Sequence, residues 1–405
     1  MYASIATSLF ADVPMAPRDP TLGTTEAFNH DVHPSKVNLG VGVYLTDEGR
    51  IPILRAVAEA ERRLAAAAAP RGYLPIDGIA AYDAAVQKLL LGDTSPLIAS
   101  GRAITAQSLG GTGALKIGAD LLKKVLPDAS VAISDPTWEN HRAVYESAGF
   151  PVVTYPYYDA STRGVRFDAM VAFLKTLEPR TIIVLHACCH NPTGVDLTAE
   201  QWQALLEVLR EYELLPFLDV AYQGFSRGID EDGAIVRQFA HSGMPLLIAN
   251  SFSKSFSLYG ERVGALTIID SSKDESTRVL SQLKRVIRAN YSTPPTHGGS
   301  VVTTVLTTPE LRDSWFHELT EMRERIKHIR SALVDRLQAH GANRDFSFVL
   351  RQNGMFSYSG LTAEQVDRLR EEFHIYAVST GRICVAALNS RNVDYVAKAI
   401  TTVLQ

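Results

Sequence analysis

Cysteine is scarce. Only Cys188, Cys189 and Cys384 occur in 405 residues, two of them adjacent and none in a C-x-x-C pair. A disulfide framework is therefore not expected, and a reducing compartment, the cytosol, is. Long hydrophobic runs are missing too. No uninterrupted apolar stretch approaches the roughly 18 residues that a membrane span requires. The opening segment "MYASIATSLFADVPMAPRDP" lacks the positive and apolar regions of a secretory leader. Excess charge of one sign is also absent: the formal net charge is −4. With no basic stripe, no helix-turn-helix pattern and no zinc-ligand spacing standing out, neither nucleic acid nor a metal is expected as a partner. No internal repeat is evident, and the alanine run at 65–69 reads as a helix end stopped by Pro70.

The chain does have hydrophobic residues in abundance, 46% of the total, enough for a large core and too many residues for one simple unit. Its middle alternates short apolar runs with amphipathic segments. "SVAISDP", "PVVTYPYY", "TIIVLH", "LPFLDV" and "MPLLIANS" read as strands, separated by helical stretches such as "WENHRAVYESAG" and "AEQWQALLEVLREYE". Strands buried on both faces and separated by helices indicate a mostly parallel α/β sheet. The pattern changes after about Arg312. A long helical stretch from about Pro309 to His340 precedes a mixture of strands and helices, which reads as a second, smaller α+β unit. The first forty-odd residues carry no long element series of their own and are expected to pack with that carboxy-terminal unit.

In open α/β sheets ligands bind beyond the carboxyl ends of the strands. Asn191, in the turn "HNPTG", follows one predicted strand. Asp219 closes another, with Tyr222 just after it, and Lys254 follows a third. The Asn191–Pro192 and Asp135–Pro136 bonds are candidates for the cis form. A glycine turn, "SLGGTGALKIG", precedes a helix and offers backbone N–H groups to an anion. It fits neither G-x-G-x-x-G nor the P-loop, so it signals a phosphate or simply a tight turn. Each residue has a plain alternative: Lys254 a loop lysine, Asp219 a helix cap, Tyr222 a packing aromatic, Asn191 a turn former. Their order on successive strands favours a shared site.

One cofactor uses the whole set. Pyridoxal phosphate carries a phosphate, a protonatable ring nitrogen, a phenolic oxygen and an aldehyde that a lysine amine captures as a Schiff base. A carboxylate beside the ring nitrogen keeps it protonated, and Arg262 suits the phosphate.

The stretches "HNPTG", "LPFLDVAYQGF", "NSFSKSFSLYGERVG" and "RANYSTPP" resemble the aspartate and aromatic aminotransferases, fold-type I pyridoxal phosphate enzymes. The resemblance runs from "VNLGVGVY" near the start to "STGRICVAAL" near the end. It implies a large domain with a mostly parallel seven-stranded sheet over 46–314, and a small domain from 1–45 with 315–405. It further implies that Lys254 holds the cofactor and moves the proton, and that Asp219 pairs with the ring nitrogen, buttressed by His141. Tyr222 and Asn191 would bond the ring oxygen, and Trp138 would stack on the ring. Gly111, Thr112, Ser251 and Arg262 would hold the phosphate, joined by Tyr73 from a neighbouring subunit. Arg382, helped by the Gly42 backbone, would grip the substrate α-carboxylate, and Arg288 of the neighbour would meet an acidic side chain. Sites shared in this way imply a homodimer. Taken singly, Arg382 is an ordinary surface arginine, and Trp138 and His141 are core residues.

The implied reaction is ping-pong transamination, from an amino acid to a second 2-oxo acid such as 2-oxoglutarate. Apolar Leu45 and Ile51 near the expected pocket mouth, with "SDPTWENH", "TYPYYD" and "RGVRFD", favour the aromatic branch with retained aspartate activity over a strict aspartate enzyme. A lyase or decarboxylase would share the lysine and the acid, but two arginines suit a dicarboxylate. A regulator would add a DNA-binding segment, and none is expected here.

Overall fold

The computed structural model of the chain describes residues 8–16 and 20–405. Seven strands form its main sheet: Ala103–Leu109 (β1), Val131–Asp135 (β2), Val152–Pro156 (β3), Ile182–His186 (β4), Leu215–Val220 (β5), Leu246–Ser251 (β6) and Val263–Ile269 (β7). They lie in the order β1-β7-β6-β5-β4-β2-β3. Pairing is parallel from β6 through to β3, while β7 runs antiparallel to both β6 and β1. The sheet is therefore the expected one, and its strands are apolar because helices cover both faces.

The one reversal has a consequence for the site. Parallel neighbours require a crossover helix, whereas antiparallel neighbours can be joined directly. Residues 252–262 make that direct return from β6 to β7. They leave a loop, with Lys254 and Arg262 on it, at the edge where β2, β4, β5 and β6 all end. Because Val263 pairs with Leu109, β1 ends at that same edge.

Helix Gly110–Val125 (α1) follows β1 and crosses the sheet closely at Gly118, where a Cβ would lie 2.6 Å from Phe217 Cζ. The glycines of "GGTG" thus form the first turn of the helix, rather than a turn ahead of it. Helix Asn140–Ser147 (α2) follows β2. Pro309–Ala339 (α3) is a single long helix, as its apolar spacing suggests. The helix carrying the alanine run ends at Ala67, with Ala68 in the left-handed region, just short of Pro70.

The amino-terminal segment does join the carboxy-terminal part. Val37–Asn38 pairs in parallel with Ile375–Tyr376, and Asp31 Oδ2 accepts from His374 Nδ1 at 2.8 Å and Tyr376 OH at 2.7 Å. Strand Phe356–Tyr358 pairs antiparallel with Arg382–Cys384. Both expected X-Pro bonds, Asp135–Pro136 and Asn191–Pro192, are cis. No described helix is long and apolar enough to cross a membrane.

Candidate active site

A cavity of about 210 Å³ opens at the common strand edge. It is lined by Gly42, Gly111, Thr112, Trp138, Asn191, Asp219, Tyr222, Ser251, Lys254, Arg262 and Arg382. These eleven come from widely separated stretches of the sequence: the main sheet brings most of them to one edge, and Gly42 and Arg382 arrive from the amino-terminal segment and the Arg382–Cys384 strand.

At one end lies an anion cradle. No side chain caps α1, so the N–H groups of its first turn remain available. Gly110 has φ +68, and a Cβ there would sit 2.6 Å from Arg262 Nη2; at Gly111 it would sit 3.2 Å from Ser251 Cβ. Glycine thus lets the guanidinium and the serine close directly over the helix end. Arg262 Nη1 donates to Tyr259 O at 3.1 Å and Ser253 Oγ at 3.3 Å, which fixes the guanidinium beside the cradle.

At the floor, Asp219 is the penultimate residue of β5, with its carboxylate buried. His141 Nε2, fully buried on α2, lies 3.0 Å from Asp219 Oδ2, and Thr137 Oγ1 lies 2.8 Å from His141 Nδ1. Burial by itself would raise the Asp219 pKa. The hydrogen bond from His141 and the surrounding positive charge outweigh it, so the carboxyl lies below its ordinary range. His186 stands behind the pair, and burial brings its pKa to about 3, so it is neutral.

Lys254 stands between floor and cradle, its Nζ 5.1 Å from the centre of the Tyr222 ring. Burial, against the pull of Asp219 and with the push of Arg262 and Arg382, brings its amine from 10.5 to about 8. Such an amine is a nucleophile and a proton carrier near neutral pH. Burial raises the Tyr222 phenol far above its ordinary value, so it stays a hydrogen-bond donor. Trp315 Nε1 donates to Ser255 O at 2.6 Å and anchors the lysine loop from α3. The Tyr259 hydroxyl accepts from Tyr44 N at 2.8 Å, tying that loop to the segment that carries Gly42.

On the far wall, Arg382 is 3% exposed. Its Nη2 donates to Gly40 O at 2.8 Å, its Nη1 lies 3.5 Å from Asn191 Oδ1, and its guanidinium carbon lies 4.4 Å from the Phe356 ring centre. Gly40 thus holds Arg382 in place, while Gly42, two residues on, lines the cavity. Two expected residues lie elsewhere on this chain. Tyr73 is 97% exposed, and Arg288 is exposed and bonds Ser292; neither lines the cavity. Leu45 and Ile51 do not line it either. Ser253, His186 and Phe356 do line it, and the motif reading did not single them out. Ser253 was open to notice, next to Lys254 in a serine-rich stretch, whereas Phe356 has no local signature.

A profile of the family described as aminotransferase class I and II matches residues 34–400. The chain belongs to that family. The aminotransferase is 65% identical over 397 residues to an aspartate aminotransferase of Pseudomonas aeruginosa, covering 98% of this chain and all of the relative. It is 51% identical to an aromatic-amino-acid aminotransferase of Escherichia coli, with the same coverage of this chain and all of that relative. A crystal structure of an aromatic-amino-acid aminotransferase from Burkholderia pseudomallei, covalently bound to pyridoxal phosphate, superposes with a TM-score of 0.96. It is 67% identical and covers 98% of this chain and all of that one. The aminotransferase is thus a pyridoxal-phosphate-dependent transaminase. Its donor set fits the cofactor: an uncapped helix end with an arginine for the phosphate, a buried carboxylate for a cationic ring nitrogen, and a low-pKa amine between them.

Proposed function

We propose that this aminotransferase takes both aromatic and dicarboxylic L-amino acids, passing the amino group to 2-oxoglutarate in a ping-pong cycle. Pyridoxal phosphate, when bound, supplies a conjugated cationic ring that withdraws electrons from the carbon exchanging its amino group. The chain does the rest. Gly111, Thr112, Ser251 and Arg262 hold the phosphate, Asp219 keeps the ring nitrogen protonated, and Trp138 packs on the ring face. Tyr222 and Asn191 donate to the ring oxygen. Arg382 takes the substrate α-carboxylate bidentately, which presents the α-hydrogen to Lys254 Nζ. Lys254 removes that proton and later delivers it elsewhere on the bound pair.

The observation that carries this reading is the convergence of Lys254, Asp219, Arg262 and Arg382 on one cavity. The exposed positions of Tyr73 and Arg288 support a homodimer, in which each would serve the neighbour's cavity. We also place the protein in the cytosol and divide it into 46–314 and 1–45 with 315–405. The pairing of Val37–Asn38 with Ile375–Tyr376 supports that division, and α3 would bridge it.

Relatives named for aspartate and for aromatic amino acids are both close, so the donor preference rests on a measurement. The expected result is a kcat/KM for phenylalanine at least equal to that for aspartate. A ratio far below one would assign a strict aspartate enzyme.

A further inference from the structure

Arg330 is a cation enclosed in the protein without an acid to match it. It lies on α3, is 2% exposed, and makes no ion pair with any described carboxylate. Backbone carbonyls take its place. Nη1 donates to Val349 O at 3.1 Å, and Nη2 to Gly354 O at 2.9 Å and Phe356 O at 2.6 Å, with Asn353 O at 3.5 Å. Burying a charge is costly unless hydrogen bonds surround it, and charged donors bond carbonyls more strongly than neutral ones. The segment 349–356 is thereby folded around one guanidinium.

That segment reaches the cavity in two places. The Phe356 ring lies beneath Arg382 and meets Tyr222 edge-on at 5.8 Å. Asn353 reaches the other wall: its N donates to Gly194 O at 2.6 Å, and its Nδ2 to Asp196 Oδ2 at 3.0 Å. Asp196 in turn accepts from Cys189 N at 2.9 Å and His190 N at 2.8 Å, immediately before Asn191. There is no slack between these pieces. A Cβ on Gly354, at φ +75, would lie 2.6 Å from Cys189 Cβ, and one on Gly194, at φ +68, would lie 2.8 Å from Phe356 O. Moving 349–356 therefore moves both Arg382's support and the Asn191 turn.

We infer that Arg330, outside the cavity, is a positioning residue for carboxylate recognition: by gathering the carbonyls of 349–356 it sets Phe356 under Arg382 and the Asn191 turn beside it. This rests on the proposed role of Arg382 as the α-carboxylate ligand. Lys254, on the β6–β7 loop, and Asp219, near the end of β5, are not among the groups that Arg330 bonds.

The test uses the cofactor-loaded protein, with succinate as the probe and calorimetry as the readout. Arg330→Lys keeps the charge but cannot span the dispersed carbonyls. Its succinate affinity should fall roughly fivefold or more and its amino acid KM should rise comparably, with kcat within about twofold. Cofactor content should be unchanged. Unchanged succinate affinity would overturn the inference, as would a parallel loss of kcat and bound cofactor, which marks general loosening. Phe356→Leu covers the case in which Arg330 variants do not fold: it must weaken succinate in the same way, and wild-type affinity there also overturns the inference. Arg382→Leu separates the two claims. If it leaves succinate binding intact, the Arg382 reading itself fails. If it abolishes binding while Arg330→Lys and Phe356→Leu are neutral, only the role of Arg330 fails.

Discussion

His141 Nε2 stands 3.0 Å from Asp219 Oδ2, with both side chains closed off from bulk water. The imidazole does for the carboxylate what solvent cannot. Replacing it by alanine leaves a buried charge short of its main donor, which costs about 3 kcal/mol. Asp219 has a folded pKa below its unfolded value, so its stabilisation is present above the ordinary carboxylate range and lost as pH falls through the folded pKa. His141→Ala should therefore lower the urea midpoint at pH 7 and begin acid unfolding at a higher pH than wild type. Equal acid midpoints would count against the pairing.

Lys254 is a penalty at neutral pH where Asp219 is a gain, although stability rises with pH in both windows. Its folded pKa of about 8 lies below the unfolded 10.5, so between those values the unfolded chain binds the extra proton and stability rises with pH. Below about 8 the penalty is constant. In the cofactor-free protein, Lys254→Met should raise Tm at pH 7, and the gain should shrink as pH approaches 10.5. A variant less stable than wild type at pH 7 would contradict the depressed amine.

The lysine loop is also held from outside the cavity. Trp315→Phe keeps an aromatic ring against Phe256 but removes the N–H that serves Ser255 O. An unpaired buried carbonyl costs about 1–3 kcal/mol. Denaturant titration should show that loss, and a change below a few tenths would mean that water replaces the indole.

The proposed sharing of sites between two copies gives a further prediction. Arg288→Ala and Lys254→Ala chains should each be poor on dicarboxylates. Mixed and refolded together, they should regain up to about a quarter of wild-type activity per chain, because one cavity in the mixed dimer is then intact. No recovery, or a monomer by light scattering, would remove the dimeric reading.

Much of this was legible in the sequence. Asp219, Asn191 and Lys254 announce themselves as polar residues ending apolar runs, and a parallel sheet brings such ends to one edge. What stayed hidden depends on contacts distant in sequence. Trp315 reaches Ser255 from another helix, and Arg330 binds carbonyls whose residue types are irrelevant to it. Neither leaves a periodicity or a spacing to read. The start of α1 at Gly110 was hidden for a different reason: its glycines serve close approach to Arg262 and Ser251, so they sit within the helix that they would ordinarily break.

We propose that one buried amine, Lys254, moves the proton in a two-stage amino transfer. Mixing the cofactor-loaded protein with an amino acid and no acceptor tests it directly. The expected result is release of about one 2-oxo acid per chain in wild type and essentially none in Lys254→Ala. Acceptor-dependent release in wild type, or equal release by the alanine variant, would contradict the account.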